Sequence, residues 1–243
     1  MEYDFAIVYW GLTRSTKQVY TSHYQHIFKV LEKKGSTFKK FMHTWQIEGN
    51  KQKVWGEVSK KEIDYEEYKL LKIDNYCIDS QDTFLNSLNM DDFFNEELYI
   101  SKGVCEQGEW HPYLIQNHLC ALESLKRSLA LVEDDISRGN RFKFIMFVRP
   151  DARFRNSLPL DKILPFPTKV HIADFDHVDG FNDRFVVTNV ENASIYGKRI
   201  NEIAEYRKNV GSISSERYLK YILNKYKVDI NLIPLKFDLV RPN

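Results

Sequence analysis

Asp151 lies just past an apolar run, Phe142–Val148 (FKFIMFV), with Arg149 before it and Arg153 after it in the segment RPDARF. A run without polar alternation reads as a central strand covered on both faces, and Pro150 stops its ladder at the carboxyl edge. Ligands of open α/β sheets collect at that edge. A single carboxylate there suits Mg²⁺ or Mn²⁺, which accept few protein ligands and complete their shells with phosphate oxygens and water. Arg149 and Arg153 suit anionic oxygens, so a phosphorylated or nucleotide substrate matches this segment. Two other readings remain: Asp151 as a turn cap, and a metal-free site in which the arginines alone neutralise a leaving diphosphate.

Further candidates stand at other predicted strand ends. Gly11-Leu12-Thr13-Arg14 follows the run Phe5–Trp10. A glycine there lets backbone approach a diphosphate and Arg14 adds a cation, against the plainer reading of an ordinary βα turn with a solvated arginine. Neither GxxxxGK[ST] nor GxGxxG occurs, which argues against ATP and NAD enzymes. Trp45, closing the strand FMHTW, either stacks a base or caps the core. Asp174, Asp176, His177, Asp179 and Asp183 crowd the segment IADFDHVDGFNDRF. Transfer to a hydroxyl needs one carboxylate as general base within hydrogen-bond reach of it. Asp179, Asp183 and Glu216 are candidates, though Asp183 has Arg184 beside it as an ion-pair partner and Glu216 sits in SSER, close to a helix capping box.

Alternating strands and helices position these groups. Phe5–Trp10 is a strand. A helix follows, from a cap at Ser15 or Thr16 to Lys33, with Val19, His23, His26, Ile27, Val30 and Leu31 on one stripe. Phe38–Trp45 is the second strand. Residues 46–108 are irregular, with a strand near Leu70–Ile78 and a short helix or acidic loop in TFLNSLNMDDFF, and read as a decoration that meets an acceptor. A long helix spans Pro112–Ile136. Strands follow at Phe142–Val148, Val170–Phe175 and Arg184–Thr188, helices at Ala193–Tyr206 and Ser215–Lys225, and a last strand in VDINLIPLKFDLVRP. This alternation predicts one α/β domain over residues 1–243, with a mostly parallel central sheet and helices on both faces.

Composition narrows the function classes. Lys+Arg 35 against Asp+Glu 34 leaves a net charge of +1 in 243 residues, so no electrostatic footprint for nucleic acid is present. Aromatics reach 14%, compatible with a cleft that stacks sugars or a base, although most of them belong in a core. Cys77, Cys105 and Cys120 are too dispersed for a zinc knuckle and read as reduced thiols. No membrane span and no leader peptide is legible, which predicts a soluble cytoplasmic protein.

RPDARF, IADF and GFNDRFVVTN, with FAIVYWGLTR, FMHTW and SSERYLKYIL in the same order, resemble the small nucleotide-diphospho-sugar glycosyltransferases of the GT-A class. These occur in bacterial polysaccharide clusters and in large DNA viruses, the chlorella-virus capsid glycan transferases among them. In that class an Arg-Pro-Asp or Arg-x-Asp at a strand end stands in for the usual Asp-x-Asp metal motif. The resemblance implies a GT-A-like sheet and transfer of a sugar from a UDP-type donor to a glycan or glycoprotein acceptor. It places Gly11, Leu12, Thr13, Arg14, Trp45, Arg149 and Arg153 on the nucleotide sugar and Asp151 on Mn²⁺ or Mg²⁺. Asp183 becomes the first choice for the base, with Asp179 and Glu216 in reserve. Inversion, which needs one carboxylate on the acceptor side, is the expected outcome, and a viral origin would make xylose a reasonable donor sugar and host cytoplasm the location. A non-catalytic carbohydrate- or nucleotide-binding protein and a sugar nucleotidyltransferase are the alternatives; the latter lacks its basic glycine-rich loop.

Overall fold

Glu2–Trp10 (β1) and Arg141–Val148 (β6) lie side by side in the middle of a seven-stranded sheet. A computed structural model describes residues 1–50, 53–54, 57–58, 62–94 and 112–241. Their apolar runs face helices on both sides, which is why neither strand alternates with polar residues. On one face Phe5, Ile7, Tyr9, Met146 and Val148 meet Ile27 and Leu31. On the other, Ala6, Val8, Trp10, Ile145 and Phe147 meet Leu125, Leu129, Val132, Tyr196 and Leu219.

The helix after β1 begins as α1 (Thr16–His23), passes through a π-helical turn at Tyr24–Phe28, and ends as α2 (Lys29–Lys33). β2 (Phe38–Gln46) pairs with β1 in parallel. The irregular region holds a short antiparallel pair, β3 (Lys53–Val54) and β4 (Glu57–Val58), a 3₁₀ stretch at Tyr65–Leu71, β5 (Asn75–Ser80) and α3 (Gln81–Asn86). The expected strand near Leu70–Ile78 therefore starts later. Part of the expected acceptor-side decoration, including Cys105, lies outside the described residues; Cys77 and Cys120 are free thiols.

α4 (Pro112–Ser137) crosses the sheet, and β6 follows. After β6 come β7 (Ala152–Phe154), α5 (Leu160–Ile163), β8 (Val170–Ala173) and β9 (Phe185–Thr188). The helical stretch expected as Ala193–Tyr206 is broken into α6 (Val190–Gly197), a 3₁₀ turn at Arg199–Glu202 and α7 (Ile203–Asn209). α8 (Ser215–Lys225) has the expected bounds. The terminal strand is split at Pro234, which cannot donate to a ladder, into β10 (Ile230–Ile233) and β11 (Phe237–Leu239). β11 pairs with β7 in a separate two-stranded ribbon that the sequence pattern did not indicate.

Across the main sheet the order is β10-β8-β9-β6-β1-β2-β5. All pairings are parallel except those of β9 with β6 and β8. The segment between β8 and β9 carries no helix to cross the sheet, so β9 returns antiparallel beside β8. Chain order reverses between β1 and β6, a switch point of the kind where open α/β sheets take their ligands. No helix among the described residues is long and apolar enough to cross a membrane.

Candidate functional site

Strand register brings three charged segments to this crevice. Tyr9 pairs with Val148, so Gly11 and Arg149 leave adjacent strands together. Val148 pairs with Phe185, and because β9 runs the other way, Asp183 and Arg184 lie at the same edge. The N-terminus of α8 joins them through the Phe181 N–H, which donates to the Glu216 carbonyl at 3.1 Å. Gly180 makes this approach feasible: a Cβ there would stand 1.9 Å from that carbonyl oxygen.

Asp151 is fully buried between two guanidinium groups. Arg149 donates to both its oxygens, Nε to Oδ1 and Nη2 to Oδ2, each at 2.8 Å. Arg14 donates to Oδ2 through Nη2 at 2.8 Å and Nε at 3.2 Å. Burial alone would raise this carboxyl's pKa; the charges and hydrogen bonds of Arg149 and Arg14 overcome that and hold it well below the usual carboxylate range. The Arg149 guanidinium also lies 5.1 Å from the centre of the Trp10 ring. The backbone of Asp151 is tied down as well: its carbonyl accepts the Val240 N–H at 2.9 Å, and the Val240 carbonyl accepts the Ser15 hydroxyl at 2.5 Å. Ser15 thus serves the tail and makes no side-chain cap on α1.

This donor set does not fit the divalent cation expected at Asp151. Both carboxylate oxygens are engaged, and a cation brought to them would meet two fixed positive charges. Among the described residues no three His, Cys, Asp or Glu side chains gather as a metal centre.

Around the turn after β1, Gly11 adopts φ +92, with open space where a Cβ would stand. Backbone conformation therefore requires this glycine. Its N–H is spent on the Ser124 hydroxyl at 2.8 Å. Leu12 packs in the apolar cluster with Ile115, Leu119 and Tyr218, and Thr13 is fully buried. Ser124 lies 2.8 Å from His43 Nδ1, and His43 Nε2 lies 3.1 Å from Asp79. These are the residue types of a nucleophilic triad, yet Ser124 has no exposed surface. Their arrangement anchors the Gly11 turn to α4 and β5.

Trp45 belongs to the core: it is 1% exposed, stacks on Phe84 and donates its indole N–H to the Cys120 carbonyl at 2.9 Å. No face is left for a nucleobase. Arg153 sits on β7 opposite Asp238, and among the described residues no ion pair joins it to Asp151. Asp179 is exposed on the loop between β8 and β9.

Asp183 and Glu216 are brought together. Both are nearly buried, at 7% and 6% exposure. The Tyr196 hydroxyl donates to the Asp183 carbonyl at 2.6 Å, fixing the loop. Burial raises the Glu216 pKa, and the Asp183 charge raises it further, while the Ser215 hydroxyl donates to Glu216 at 2.8 Å. Arg184 reaches Asp176 at 3.0 Å and Glu216 at 3.5 Å. His177 accepts the Asn182 N–H at Nδ1, 3.2 Å, so Nε2 carries the proton and donates to Asp174 at 3.1 Å, which makes it part of the loop scaffold.

Sequence reasoning missed Arg184 and Arg241 as site residues. Arg241 follows Val240, whose N–H donates to the Asp151 carbonyl, so its backbone lies beside the same crevice. A signal was present: Arg241-Pro242 repeats the Arg149-Pro150 pattern at the end of a strand.

No family model matches this chain, and no curated protein matches it in sequence. Among solved structures, the apo form of mouse xyloside xylosyltransferase 1 is similar at a TM-score of 0.45 and 9% identity, over 96% of this chain and 85% of that one.

Proposed function

We propose that this chain is a glycosyltransferase that moves a sugar from a nucleoside diphosphate donor onto a hydroxyl of a glycan or glycoprotein. The observation that carries this reading is the meeting, at the switch point between β1 and β6, of an arginine cluster with a nearly buried pair of carboxylates. Arginines at a strand edge suit a diphosphate that leaves with added negative charge. A carboxylate beside them suits the proton of an attacking hydroxyl. Asp183 takes that role, with Glu216, its pKa raised by burial and by Asp183, as its partner in sharing the proton. The order of β5, β2, β1 and β6 also agrees with the GT-A-like sheet that the sequence resemblance implies. That resemblance favours a UDP-linked donor, xylose among the candidate sugars, and a single acceptor-side base suits inversion at the anomeric carbon.

Most of the rate acceleration in this reading comes from holding donor and acceptor in line and stabilising the departing diphosphate. The test is release of nucleoside diphosphate from UDP-, GDP- and CDP-sugars in the presence of saccharide acceptors. Wild-type protein turns over one of these donors, and Asp183→Asn lowers kcat by about 10²–10⁴-fold. Turnover unaffected by Asp183→Asn would remove Asp183 from the chemistry, and a protein that binds donors without releasing diphosphate would be a binding module.

A further inference from the structure

We infer that the diphosphate is neutralised by guanidinium groups, with Arg149, Arg184 and Arg241 facing it over the buried Arg14, and that Asp151 holds these arginines instead of a divalent cation; this rests on the transferase reading above. Asp151 is the natural metal ligand by position, yet its two oxygens are engaged by Arg149 and Arg14. Asp151 therefore fixes two guanidinium groups at the strand ends. Arg184 leaves the sheet beside Arg149, because Val148 and Phe185 are paired. Arg241 follows Val240, whose N–H and carbonyl are fixed to Asp151 and Ser15. Asp183, Asp176 and Glu216 face Arg184 as counter-charges.

In the transfer step the acceptor oxygen forms a bond to the anomeric carbon, and the bond from that carbon to the β-phosphate oxygen breaks with its electron pair left on the phosphate. The acceptor proton passes to Asp183. The diphosphate thereby gains one negative charge, which guanidinium groups placed around it stabilise.

Titration calorimetry of UDP, GDP and CDP into the protein, first in EDTA and then with millimolar Mn²⁺, tests this. One diphosphate is expected to bind in EDTA within about threefold of its affinity in Mn²⁺. Arg241→Ala, at an exposed tail position, is expected to weaken that diphosphate by about tenfold while leaving the parent nucleoside unchanged, a selectivity that a structural role would not produce. Binding that requires Mn²⁺ overturns the inference and leaves the transferase reading standing. Binding of none of the three in either buffer overturns both, and equal loss of nucleoside and diphosphate affinity in Arg241→Ala removes Arg241 from the site.

Discussion

A carboxylate with no exposed surface and two guanidinium partners responds to substitution differently from a metal ligand at a cleft rim. Asp151→Asn removes the counter-charge and leaves Arg14 and Arg149 buried without it, a loss of about 3–5 kcal/mol. Urea denaturation measures this directly; a variant as stable as wild type would mean that the ion pairs are not formed in solution. The segment RPDARF announced these residue types, and their place at a strand end was legible from the apolar run before them. Their pairing was not, because Arg14 and Asp151 stand 137 positions apart. Trp45 illustrates the same limit: an aromatic at a strand end fits either a base or a core, and only the packing of Phe84 and Cys120 around it decides.

Among the elements, the segment between β8 and β9 and the N-terminus of α8 act as one unit. Gly180→Ala forces them apart, since its new methyl would overlap the Glu216 backbone. Displacing the loop moves Asp183 relative to Glu216, so kcat is expected to fall by at least about tenfold, because misplacement on the scale of an ångström costs as much as 10²-fold. Kinetics beside a thermal melt separates this from unfolding, and unchanged kcat would contradict the coupling. Strands and long helices were legible from periodicity, and α8 matched its predicted bounds. The break of the 193–206 helix and the π-turn at Tyr24–Phe28 were not, because the hydrophobic stripe continues through both. β7 and β11 are short, and they pair only because the tail returns to the site.

For the whole molecule, three histidines in different parts of the core set the response to acid. Burial lowers the pKa of His23, His43 and His118 to about 4, from 6.5 in an unfolded chain. Between these values the unfolded chain binds more protons than the folded one, so stability is complete above pH 6.5 and is lost as pH falls toward 4. Calorimetric melting temperatures should be level from about pH 8 to pH 6.5 and then drop steeply; a level profile down to about pH 4.5 would mean these histidines are not buried as neutral groups.

If the crevice between β1 and β6 holds a nucleoside diphosphate, amide hydrogen exchange with and without saturating UDP, GDP or CDP will locate it there. Slowed exchange is predicted in residues 11–18, 149–154, 181–184 and 238–241, with residues 62–86 unchanged. Protection confined to residues 62–86, or none in the segments around Arg14 and Asp151, would contradict it.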